Sequence, residues 1–207
     1  MSYGAAEFAT EFGVSRETGA KLDRYAEMLA DWQVGMNLIG WSTIGSMWQR
    51  HFRDSAQLTA LVPTLGHRPL WLDIGAGGGF PGLVLAILGA GDIRLVESIT
   101  KKCRFLQAVV DELDLDACAT VHNCRVEALP RFRADIITAR ACANLAQLFD
   151  WGLPFAASST LWLLPKGASV GHEVTTARQG FRFDAELIPS RSDERARIVV
   201  AKGVFRK

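Results

Sequence analysis

Residues 71–87 read WLDIGAGGGFPGLVLAI: an apolar run holding Asp73, five glycines within eight residues, and a second apolar run. Glycine accepts left-handed backbone and lets the main chain approach a ligand closely. Glycines set between a strand-like and a helix-like segment therefore mark a loop built around a ligand. In α/β folds such a loop lies at the carboxyl end of a strand, where ligands bind. Pro81 suits a first helical turn, where its missing N–H costs nothing. A nucleotide-like ligand is implied.

Downstream of this stretch, short β-rich runs alternate with helical patterns: IRLVES, ATVHN, ADIITAR, TLWLLPK, DAELIPS and ARIVVAKGV. With LWLDIG these make seven strand candidates. Strands separated by helices of about a dozen residues imply right-handed crossovers and a largely parallel sheet covered on both faces. The last two are joined only by RSDERA, too short for a crossover, so that final pair is expected to be antiparallel. Upstream, Leu22, Tyr25, Leu29, Trp32 and Met36 recur at three- and four-residue steps, the pattern of an amphipathic helix. VPTLGHRP at 62–69 punctuates the chain. The expected organisation is a helical extension over 1–65 followed by an α/β unit over 66–207.

Composition sets wider limits. The 207 residues are 49% hydrophobic and 22% charged, an ordinary globular balance. The longest apolar stretches fall well short of the roughly 20 residues of a membrane-spanning helix, and the start shows no basic segment followed by an apolar one. A cytoplasmic protein with no membrane partner is expected. Net charge is only +1, so any nucleic-acid contact must come from local patches. Cys103, Cys118, Cys124 and Cys142 form no CxxC pair, which predicts buried reduced thiols and no metal site.

Two cofactor classes compete for the glycine loop. Residues 77–82, GGGFPG, satisfy GxGxxG, weak evidence for a dinucleotide. In the other register, Asp73 stands two residues before Gly75-Ala-Gly77-Gly-Gly79, which resembles motif I of S-adenosylmethionine-dependent methyltransferases. Buried Asp73 needs a polar partner, and this register gives it a role. Glu97 ends the second strand 22 residues after Gly75, where a carboxylate can accept hydrogen bonds from a ribose diol in either class. Seven strands with an antiparallel last pair favour the methyltransferase: a class I, Rossmann-like fold.

A closer resemblance covers most of the chain. LDRYAEMLADWQVGMNLIG, RHFRDS at 50–55, LDIGAGGGFPGLVLAI, LVESITKKCRFLQAVVDELDL, CRVEAL, ITARACANLAQLFDW and LLPKG follow one another as in the RsmG (GidB) family. The resemblance implies transfer of a methyl group from S-adenosylmethionine to N7 of a guanine in 16S rRNA, alone or within the small ribosomal subunit or an assembly intermediate, by a monomer. It assigns Gly75 and Phe80 to cofactor contact, Val126 and Glu127 to the adenine, and Arg140 to the cofactor side. With Asp73, Gly77 and Glu97 these form the expected cofactor set. The family's aromatic before Asn37 is replaced here by Met36.

Guanine N7 has no proton to lose, so transfer can proceed by alignment alone, without a general base. No [DNS]PP[YF] stretch follows the fourth strand, and Cys142 lacks the Pro-Cys context of enzymes with a cysteine nucleophile. Candidate RNA contacts are Arg50, His51 and Arg53 of RHFRDS, Lys101 and Lys102 at a helix start, Lys166 after the fifth strand, and Arg191 in the last loop. The alternatives are a methyltransferase of this fold acting on another RNA or a small molecule, a nicotinamide-dependent oxidoreductase, and a module that binds the cofactor without turnover.

Overall fold

A computed structural model describes residues 3–207 of the chain; the first two residues of the 1–65 extension lie outside it. The chain opens with α1 (Ala5–Phe12) and α2 (Arg16–Gln33), the latter capped by the Ser15 hydroxyl, which accepts from the Thr18 N–H. The helical periodicity ran on to Met36, but α2 stops at Gln33. There the buried Gln33 side chain folds onto the next turn, accepting from the N–H groups of Leu38 and Ile39 at 3.0 Å each and donating to the Ile39 carbonyl at 2.8 Å. A side-chain amide that satisfies three main-chain groups replaces continued helix. A 3₁₀ segment (Trp41–Ser46), a π-helical turn (Trp48–Arg53), the short α3 (Asp54–Ala56) and another 3₁₀ turn (Gln57–Leu61) complete the extension.

The α/β unit follows as β1 (Leu70–Ile74), α4 (Gly82–Ile87), β2 (Asp92–Glu97), α5 (Thr100–Glu112), β3 (Ala119–Asn123), β4 (Ile136–Thr138), α6 (Leu145–Gly152), β5 (Leu161–Lys166), α7 (Val170–Gly180), β6 (Phe181–Pro189) and β7 (Arg197–Arg206). All seven expected strands form one sheet of order β3-β2-β1-β4-β5-β7-β6. The first five are parallel. β7 enters antiparallel between β5 and β6, so the last pair is antiparallel as RSDERA requires.

Alternation in the strands builds two cores. Trp71 of β1 and Leu163 of β5 face a cluster shared with α4, α5 and the helical extension, while Leu72 and Trp162 face a second cluster under α6 and α7. Central strands buried on both faces read as the continuous apolar runs seen in the sequence. The extension is thus part of the sheet's own covering. Tyr25, Phe52 and Phe80 meet in one aromatic group, with Tyr25–Phe80 and Phe52–Phe80 centroids each 5.3 Å apart. That packing fixes the extension against the glycine loop, because Phe80 belongs to that loop. Among the described residues no helix is long and apolar enough to cross a membrane, and no group of three or more histidine, cysteine or acidic side chains is arranged to hold a metal ion. The four cysteines are unpaired, but only Cys103 is fully buried and Cys142 is exposed, which corrects the expectation of four buried thiols.

Candidate cofactor and substrate cavity

A cavity of about 1270 Å³ opens at the carboxyl ends of the parallel strands. One wall is the sheet side, with Gly75, Gly77 and Phe80 after β1, Glu97 at the end of β2, and Val126 and Glu127 in the turn after β3. A second part of the lining is the extension, with residues 37–41, Thr43, Arg50, His51 and Asp54. The sequence-derived cofactor set therefore converges, apart from Asp73, on one space.

The glycine loop is shaped by conformation and by crowding. Gly75, Gly77 and Gly79 hold φ of +70°, +57° and +91°, a region costly for residues with a Cβ. At Gly79 a Cβ would fall 2.6 Å from the Tyr25 hydroxyl and 2.4 Å from Leu83, while at Gly77 it would meet only open space and a carbonyl at 3.7 Å. The loop is thus packed tightly behind and bare in front. Tyr25 donates to the Gly78 carbonyl at 2.5 Å, a contact not legible in a helix that reads simply as amphipathic.

Asp73 does not reach the cavity. It lies fully buried beneath the loop, where one carboxylate oxygen accepts from the Gly82 N–H at 2.9 Å at the start of α4. Burial raises its pKa to about 7, against the lowering effects of the Gly82 N–H and Arg140. Its place follows from the pleat: Trp71 and Asp73 share the α4 face of β1. Asp73, expected among the cofactor-binding residues, is placed instead beneath the glycine loop, where it supports the start of α4. Glu97 does line the cavity, with one oxygen accepting from the Gly77 N–H at 3.0 Å and the other from the Ile99 N–H at 2.8 Å.

Arg140 spans the two walls. Its guanidinium carbon lies 5.0 Å from the Phe80 centroid, and it donates to the Arg50 carbonyl at 3.1 Å and stands 3.6 Å from Asp54. Burial lowers its pKa while Asp54, Tyr25 and Asp73 oppose that fall, so a desolvated guanidinium needs this surrounding charge. Asp54 in turn accepts from Gln57, Ser190 and Ser192 at 2.9, 3.2 and 2.7 Å. This buried hub joins the extension to the β6–β7 loop.

His51 is buried at 5.1 Å from the Phe80 centroid, with Nε2 2.7 Å from the Thr43 hydroxyl and Nδ1 without a partner. Burial, then Arg140 and Arg50, hold its pKa down at about 3. It is a neutral imidazole turned toward Thr43 and Phe80, so it brings no positive charge to RNA. Ala141 adopts φ of +55°, costly for alanine, in the turn that sets Cys142 against Gly75. Cys142 is exposed as a residue, but its sulfur turns in against Gly75 and donates to the Ile74 carbonyl at 3.3 Å. Desolvation of that thiol, then Asp73, push its pKa up to about 11, far from a thiolate nucleophile.

The remaining basic candidates divide by engagement. Arg53 is held by Glu11 at 2.8 Å and by the Arg191 carbonyl at 2.7 Å, and Arg191 faces Glu11 at 3.4 Å; neither lines the cavity. Lys166 is buried against Glu173 at 3.0 Å and the Ala143 carbonyl at 2.6 Å. Arg50 is exposed and paired with Asp193 at 2.6 Å. Lys101 is exposed and Lys102 lines the cavity rim; neither forms an ion pair among the described residues.

Sheet order, glycine loop and cavity together define a class I S-adenosylmethionine-dependent methyltransferase. The same fold is seen in a mutant of MtNAS in complex with S-adenosylmethionine (13% identity, 97% of this chain and 84% of that one, TM-score 0.58) and in Pyrococcus horikoshii TYW2 in complex with MeSAdo (13% identity, 76% and 64%, TM-score 0.56). The chain belongs to the rRNA small subunit methyltransferase G (GidB) family, whose model matches residues 18–197. Its relatives named ribosomal RNA small subunit methyltransferase G include those of Methylorubrum populi, 44% identical over 196 residues (92% of this chain, 90% of that one), and Caulobacter vibrioides, 42% identical over 206 residues (98% and 93%).

Proposed function

We propose that the protein transfers the methyl group of S-adenosylmethionine to N7 of a guanine in 16S rRNA, within the small ribosomal subunit or an assembly intermediate, acting as a cytoplasmic monomer. The observation that carries this reading, beside the family, is the state of the titratable groups around the cavity. His51 is neutral with a pKa near 3 and Cys142 is a thiol with a pKa near 11. Of the carboxylates lining the cavity, those of Asp54, Glu97, Glu173 and Asp193 are each engaged by neighbouring donors, and that of Glu127 stands on the side assigned to the adenine. Such a site suits an acceptor with no proton to remove.

When bound, S-adenosylmethionine supplies an electrophilic methyl group on a sulfonium. The residues fit it: Gly75 and Gly77 offer bare main chain, Glu97 a carboxylate for ribose hydroxyls, and Val126 and Glu127 an edge for the adenine. Phe80, backed by Tyr25, Phe52 and Arg140, forms the floor between cofactor side and substrate side. The chain's contribution to rate is then alignment of the acceptor with the methyl group. Lys101, Lys102 and Arg50 supply phosphate contacts at the rim. Small subunits carrying 7-deazaguanine at the target position should still bind yet accept no labelled methyl group, since C–H replaces the N7 lone pair. Undiminished methylation of those particles would overturn the assignment.

A further inference from the structure

Trp41 is 59% exposed, at the mouth of the cavity on the extension wall. Isolated exposed apolar residues are common and need no explanation, but this one is mounted rigidly. On its N-terminal side the Gln33 amide clamps Leu38 and Ile39. On its C-terminal side the Thr43 N–H and hydroxyl both reach the Gly40 carbonyl, at 2.8 and 2.7 Å, and the hydroxyl also meets buried His51. The turn that carries the indole is therefore fixed from both ends while the indole itself is left open to water.

Its setting narrows what it meets. At about 1270 Å³ the cavity exceeds the roughly 300–1,000 Å³ of a site for one small ligand, and Trp41 lines it from the extension, three residues beyond Leu38, whose carbonyl packs against Gly78 of the glycine loop. The cavity lining also holds exposed Arg125 and partly exposed Lys102, neither in an ion pair among the described residues, beside exposed Glu127 and an Arg50 already paired with Asp193 at 2.6 Å. The two unpaired cations are placed to meet phosphate. A planar aromatic beside cations is how proteins hold unstacked bases of single-stranded nucleic acid. Resting on the methyltransferase reading above, we infer that Trp41 is a stacking platform for an RNA base next to the guanine that enters the cavity. A base lifted out for reaction leaves its neighbour with one face uncovered, and the indole covers that face.

The test uses the full chain with small ribosomal subunits from cells lacking the methyltransferase. Trp41→Ala should raise KM for the particles about 5- to 100-fold with kcat little changed, the range that removal of one base-stacking side chain produces. Trp41→Phe, which keeps a planar ring, should recover most of the loss, and Trp41→Leu should not. Calorimetric affinity for S-adenosylhomocysteine should stay within about twofold of the unmodified protein in all three. An unchanged KM for Trp41→Ala overturns the inference. So does equal recovery by Leu and Phe, which would mean an apolar contact with a ribosomal protein, and so does a loss of cofactor affinity. If the unmodified protein failed to methylate the particles, the reaction assignment would fall by itself, and filter retention of particle–protein complexes would still report on Trp41.

Discussion

Glu97 orders two turns with one carboxylate and lines the cavity beside them. Each oxygen accepts a main-chain N–H, from Gly77 and Ile99, which orders the glycine loop and the start of α5, and each keeps a lone pair for the cavity. Charge-assisted contacts to ribose hydroxyls are each worth about 1.5–3 kcal/mol, so Glu97→Ala should weaken S-adenosylmethionine and S-adenosylhomocysteine alike by about 10- to 150-fold. Calorimetry on the folded variant decides it, and a change below about twofold for both would mean that the carboxylate serves the loop alone. Glu97 was legible because a strand, its length and its terminal acid are all local in sequence. Asp54 was not: its partners Ser190 and Ser192 lie 136 and 138 residues away, and no local pattern encodes that distance. Asp73 shows the intermediate case, since its strand was read correctly but the face it points to depends on where α4 packs.

Strands and crossover helices came through at the level of the element because a sheet buried on both faces leaves apolar runs of fixed length between glycine-rich turns. The segment from Trp48 to Arg53 did not, since a π-helical turn has no periodicity of its own; it reads as helix and packs as a bend that buries His51 and Phe52. Such turns often occur at functional sites, and this one forms part of the cavity wall. The first turn of α5 carries Lys101 and Lys102, where positive charge opposes the helix dipole and where acidic partners are missing among the described residues. If these lysines contact phosphates, replacing both with glutamine should weaken binding to small subunits and flatten its log–log salt dependence by about one to two units. Cofactor affinity should hardly move. A salt slope equal to that of the unmodified protein would mean that these lysines only meet solvent.

Taken as a whole, the molecule is closed along a seam where the extension, the glycine loop and the β6–β7 loop meet, and the seam has a pH signature. His51 has a folded-state pKa of about 3 against an ordinary value of 6.5, so the unfolded chain binds the extra proton between these limits. Its contribution to stability is complete above about pH 6.5 and lost as pH falls toward 3. Asp73, raised from 3.8 to about 7, acts in the opposite sense, losing its contribution as pH rises through that interval. Between pH 7 and 4 the His51 loss and the Asp73 gain oppose each other in the unmodified protein. His51→Gln, which keeps a partner for Thr43 and removes only the loss, should therefore gain urea-midpoint stability relative to the unmodified protein as pH falls. Parallel profiles for the two proteins would assign the acid sensitivity elsewhere. The sheet carries a different consequence, one of timing. β7 is the last strand in sequence yet lies inside the sheet, and β6 has β7 as its only neighbour. During synthesis β6 leaves the ribosome before there is anything for it to pair with, and the open edge of β5 is the nearest wrong partner. Five parallel strands can assemble in order as they emerge, but the sixth must wait for the seventh. The nascent chain therefore passes through an interval in which an unpaired strand, with Phe181 and Phe183 on its core face, and an unprotected edge coexist, the condition under which intermediates misassemble.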